Sequence, residues 1–97
     1  MDRKEIEMKR YELSCYVRQG LCTRVLPNDP LRDGYEVFCE KILESKRTWG
    51  TYQRLECLVD AMENTTSSQR RVELETLIGE EIDRFLDEEG VERWDGT

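Results

Sequence analysis

Apolar residues along this chain recur every three or four positions, and no segment sustains an alternation of period two. That spacing marks one face of a helix, so the pattern predicts an all-α fold, a small bundle of about four helices. The first is expected over residues 3–19, with Ile6, Leu13 and Val17 on one side and Met8, Tyr11 and Cys15 on a neighbouring side. The wide apolar arc implies packing against two other elements, and Gly20 is the expected C-terminal stop. A second helix is expected over 30–46, with Asp29 as N-cap, Pro30 in the first helical position and a stripe of Tyr35, Phe38, Cys39, Ile42 and Leu43. Gly34 weakens its first turn and moves the expected start toward Asp33.

Trp49-Gly50-Thr51 interrupts the pattern before a third helix, 51–63, whose stripe is Tyr52, Leu55, Leu58, Val59 and Met62. The fourth, 69–89, is the longest: Leu74, Leu77, Ile78, Ile82, Phe85 and Leu86 form its stripe, Ser67 or Ser68 caps it and Gly90 stops it. Gly79, inside this helix, costs about 1 kcal/mol relative to alanine and so points to a close helix approach or a bend. The helices are expected to pack in antiparallel style.

The irregular stretch 20–34 is broken by Pro27, and its Leu21, Val25 and Leu26 are apolar enough to be tucked under the loop or to add a short turn. With 97 residues the chain makes one domain, read as 1–90 with a short tail, 91–97, that is mobile unless Trp94 docks. Charged residues are 38% and hydrophobic ones 37%, so the core is small and homo-oligomerisation is a reasonable remedy. No signal-like run opens the sequence, and no segment approaches the roughly 18–20 apolar residues of a membrane span. The expectation is a cytoplasmic protein, in the host cytoplasm if viral, with reduced cysteines.

Charge changes this picture most. Residues 1–66 carry 12 acids and 11 bases, whereas 67–97 carry 10 acids and 4 bases. The acids from Glu73 to Asp95 lie on the fourth helix and its tail, mostly off the apolar stripe. A solvated helix face is the plain explanation. Two features favour a partner: Asp83 and Asp87 are like charges at i, i+4, and Asp87, Glu88 and Glu89 oppose the helix dipole. The surface expected to bind a partner is therefore Glu80, Asp83, Asp87 and Glu88, with Trp94 as an aromatic anchor. Trp49, at a helix junction, reads as core.

The chemistry is mostly subtractive. There is no histidine, which removes the commonest general base and every metal site that needs imidazole. The carboxylates stand in dense runs rather than singly among apolar residues, so the chain is not expected to be an enzyme. Cys15, Cys22, Cys39 and Cys57 contain no Cys-x-x-Cys pair, a weak pattern for zinc. Cys15 and Cys39 fall on expected core faces and Cys57 beside one, while Cys22, in the loop, is the candidate reactive thiol. A Cys15–Cys22 bridge is conceivable but unforced. Phosphate-binding glycine loops are absent, and no metal, cofactor or catalytic site is expected. Asn64-Thr65-Thr66 fits a glycosylation triplet and reads as a turn. The basic clusters are short and matched by nearby acids, which disfavours direct nucleic-acid binding.

These features lead to a small acidic protein-binding module, an adaptor, assembly factor, regulator or inhibitor that occupies a basic protein surface through helix 69–89. The alternative is a phage- or virus-type inhibitor whose acidic face imitates nucleic acid. A self-associating subunit is a third, weaker reading.

Overall fold

The computed structural model describes residues 2–44 and 49–95. The expected helix end at Lys46 lies outside these, as do the side chains of Ile6, Tyr35, Cys39, Ile42, Leu43 and Trp49. The fold is all-α. Four helices follow one another: α1 (Arg3–Arg24), α2 (Tyr35–Glu44), α3 (Trp49–Asn64) and α4 (Ser68–Glu89), with a 3-10 turn at Pro30–Asp33 before α2. Among the described residues the β contact is a single antiparallel bridge between Val25 and Arg93.

Local sequence explains most of the helix ends. Asp2 caps α1, accepting from the Lys4 N–H. Asp29 accepts from the Leu31 N–H at 2.9 Å, with Pro30 opening the 3-10 turn. Ser67 caps α4 through the Arg70 N–H at 3.2 Å. Gly90 closes α4 in the left-handed region, φ 67°, and the Val91 N–H returns to the Leu86 carbonyl at 3.0 Å.

Three expectations are corrected. Gly20 does not stop α1, which runs on for another turn to Arg24. A Cβ at Gly20 would fall 2.5 Å from Ile82 Cδ1, so this glycine is a point of helix contact rather than an end. The extra turn carries Leu21 into the core and places Val25, in extended conformation, against it. The helix expected over 30–46 is broken at Gly34, whose φ of 110° lies where side-chain-bearing residues are strained. Trp49-Gly50-Thr51 does not interrupt: it is the first turn of α3, with Thr51 buried.

The core gathers Leu13, Val17 and Leu21 from α1, Phe38 from α2, Leu55, Val59 and Met62 from α3, and Leu74, Ile78, Ile82, Phe85 and Leu86 from α4. Phe38 and Phe85 meet as tilted rings, centroids 4.9 Å apart. Each such side chain, fully buried, stabilises the fold by about 1.5–3 kcal/mol before entropy is counted. α3 and α4 are the most extensive pair.

The packing is not antiparallel throughout. Along α1 and α4, Tyr16 lies beside Arg71, Gly20 beside Ile82, and Arg24 beside Asp83, so these two helices run in the same direction. The Tyr16 hydroxyl donates to Glu63 and accepts from Arg71, joining α1, α3 and α4 at one end. That hydrogen bond from Arg71 to Tyr16, with the nearby carboxylates of Glu63 and Glu75, holds the Arg71 guanidinium above its ordinary pKa.

Candidate functional site

The parallel α1–α4 contact places the C-terminal end of α1 against the acidic end of α4. Gly79 leaves room for the Arg24 guanidinium, since a Cβ there would lie 2.6 Å from Arg24 Nη2. Arg24 crosses this gap and donates from Nε to Asp83 Oδ1 at 2.7 Å. The expected close approach at Gly79 thus has an arginine, not a helix backbone, as its occupant.

A second cation arrives from the tail. Beyond Gly90 the chain turns back along α1, and the Trp94 N–H donates to the Arg24 carbonyl at 2.8 Å. This aims Arg93 at the last turns of α4. Its guanidinium reaches Asp83 Oδ1 at 2.9 Å, Asp87 Oδ1 at 2.6 Å and the Asp83 carbonyl at 2.5 Å. The like-charge pair at 83 and 87, and the acid opposing the helix dipole, are therefore offset within the chain. Two arginines face two aspartates. Asp83 and Asp87 keep 47% and 75% of their side-chain surface exposed, so each pair contributes only about 0.2–1 kcal/mol.

Trp94 is docked rather than free. It is half-buried, and the Arg32 guanidinium carbon lies 4.9 Å from its ring centroid. Arg32 in turn donates to the Cys22 carbonyl at 2.7 Å. The tail through Asp95 is thus fastened to α1 and to the turn at Pro30–Asp33, with Val91 packed on the core.

Glu80 and Glu88 belong to a different side of α4. Glu88 follows Glu81 and Arg84 by seven and four residues, which sets the three on one helix face. Both Glu80 and Glu88 are exposed, and among the described residues neither has an ion-pair partner. Beside them an open groove of about 640 Å³ runs between α3 and α4, lined by Cys57, Leu58 and Leu77 and rimmed by Arg54, Glu80 and Arg84. Glu81 ties the two helices there, accepting from Arg54 at 3.0 Å and from Arg84 at 2.5 Å. Leu77, expected in the core stripe, is 39% exposed and faces this groove. The deeper positions are taken by Leu74, Ile78 and Glu81's neighbour Ile82.

The five residues singled out by the sequence thus fall into three places: Glu80 and Glu88 on the groove side, Asp83 and Asp87 under Arg24 and Arg93, and Trp94 in the docked tail. Sequence reasoning missed Leu77 and Cys57, because helical spacing alone cannot tell the edge of a stripe from its centre.

The cysteines differ from expectation. Cys15 and Cys57 are exposed and Cys22 half-buried, and all three are free thiols. Cys15 is therefore not a core residue, and the Cys15–Cys22 bridge is not formed. Among the described residues no three metal-ligating side chains cluster, and no helix is long and apolar enough to cross a membrane. Comparison with protein-family models, curated proteins and solved structures finds no match to this chain.

Proposed function

We propose that the chain is a small protein-binding module that acts by occupying a surface, as an adaptor, assembly factor or regulator, through the outer face of α4. The observation that carries this reading is the α3–α4 groove: Leu77 stands open to solvent beside Leu58, with Glu80 at the rim and Glu88 farther along the same helix. Glu80 and Glu88 lie eight residues apart, about 12 Å along the helix. A partner segment that inserts an apolar side chain between α3 and α4 and sets basic side chains against those two carboxylates fits this arrangement. The net charge of −7 favours the approach of such a partner.

Imitation of nucleic acid is the weaker reading. Arg24 and Arg93 interrupt the run of free carboxylates that phosphate-like spacing would require. The proposal also includes a reducing, cytoplasmic setting, which the exposed thiols of Cys15 and Cys57 suit.

The test is paired capture from cells in which the chain occurs, with wild type and Leu77→Asp/Glu80→Lys as baits. A protein with a basic surface that is retained by wild type and lost by the variant supports the reading. Equal recovery by both baits rejects the groove. Release of the captured protein by an oligonucleotide would favour the imitation of nucleic acid instead.

A further inference from the structure

A second, separate surface lies on α1. The first buried residue of this helix, among those described, is Leu13, followed by Val17 and Leu21. α1 and α4 run in the same direction, and the contacts Tyr16–Arg71, Arg24–Asp83 and Gly20–Ile82 set the start of α4 at Ser68 level with a position between residues 6 and 13 of α1. The ten residues Arg3–Glu12 precede that first buried position. A helical extension of that length gains little stability from propensity alone. Yet it carries two large apolar side chains in solvent, Tyr11 at 71% and Met8 at 60% exposure. The expectation that Met8, Tyr11 and Cys15 pack against a second element of the chain is not met: all three face solvent.

The charges around this face decide what covers it. Lys4, Met8, Tyr11 and Glu12 line one shallow hollow of about 240 Å³. The cation is at one end, the anion at the other, and the apolar pair lies between. In a parallel pairing of two copies Lys4 would face Lys4 and Glu12 would face Glu12. In an antiparallel pairing about a two-fold axis near Met8, Lys4 of each copy faces Glu12 of the other, Met8 packs on Met8, and each Tyr11 flanks that pair. Through Lys4 and Glu12 the hollow is complementary to itself in the antiparallel orientation.

We propose that this face of α1 is the interface of an antiparallel homodimer. It is a single helix face, well short of the roughly 1,200 Å² of a stable interface, so the dimer is weak, with a dissociation constant between about 10 μM and 1 mM. It does not depend on the α3–α4 groove.

Sedimentation equilibrium of the full chain, run up to about 1 mM, reads the result directly. Wild type rises from the 11.6 kDa monomer toward twice that mass. Met8→Asp stays monomeric with its helical circular dichroism intact. Lys4→Glu and Glu12→Lys each weaken association at least about fivefold, the scale of an exposed ion pair made twice, and the double exchange restores it. A wild type that stays monomeric overturns the proposal, as does a dimer that survives Met8→Asp. Single charge variants that associate like wild type would overturn the antiparallel arrangement. Loss of the dimer in Leu77→Asp would move the interface to the groove and equally contradict it.

Discussion

At Gly34 the chain takes φ 110° and ψ −149°, and its amide closes the 3-10 turn on the Leu31 carbonyl at 3.2 Å. Inside a continuous helix, replacing this glycine by alanine would add about 1 kcal/mol of stability. At the observed angles the same change costs about 1–3 kcal/mol. Gly34→Ala is therefore expected to lower the melting temperature, and a thermal melt with a raised midpoint would restore the helix over 30–46. The residue types that punctuate a chain locally were legible: Asp29, Pro30, Ser67 and Gly90 all do what their positions imply. Gly20 was not, because its role is set by Ile82, 62 positions away, and nothing adjacent in sequence carries that contact.

At the scale of elements, the tail is the part whose role changes most. As sequence, Arg93 and Trp94 sit among acids in a segment with no helical pattern. As structure, the αL turn at Gly90 and the Val25–Arg93 bridge set Arg93 over Asp83 and Asp87. The acidic end of α4 is thereby supported by its own continuation, and unfavourable helix electrostatics there need no outside partner to explain them. Arg93→Gln is expected to cost about 1 kcal/mol, discounted for exposure, at low ionic strength. The difference from wild type should shrink as salt rises, measured by urea unfolding at two salt concentrations. An effect that is absent at low salt, or that grows with salt, would show that the Arg93 contacts are not electrostatic in origin. The helix set itself was readable from apolar period alone, because α4 and α3 bury continuous stripes. The direction of α1 relative to α4 was not, since a periodic stripe is the same read from either end.

For the whole molecule, a small core leaves apolar side chains in solvent, among them Val72, Leu77 in the α3–α4 groove, and Met8 and Tyr11 on the α1 face. The groove and the α1 face lie on different helices and carry different charge. The groove has Glu80 at its rim, with Glu88 farther along the same helix, the pair of carboxylates proposed to meet a basic partner. The hollow on α1 is lined by Lys4 and Glu12 at opposite ends, the arrangement proposed to pair with a second copy. Substituting one should leave the other's binding unchanged, within the few tenths of a kcal/mol typical of distant sites. The acidic surplus of residues 67–97 was visible in the sequence, but its division into a neutralised side and a free side was not. That division depends on Arg24 and Arg93, which come to α4 from elsewhere in the chain.

The central claim is that these two sides of α4 do different work, Asp83 and Asp87 holding the fold and Glu80 and Glu88 with Leu77 meeting the partner. Calorimetric titration of the captured partner against two variants, each paired with a thermal melt, tests it most directly. Glu80→Gln/Glu88→Gln should weaken binding roughly tenfold with an unchanged melting temperature. Asp83→Asn/Asp87→Asn should lower the melting temperature and leave the affinity within about twofold. Loss of affinity in the aspartate variant alone, with the glutamate variant binding like wild type, would contradict the account.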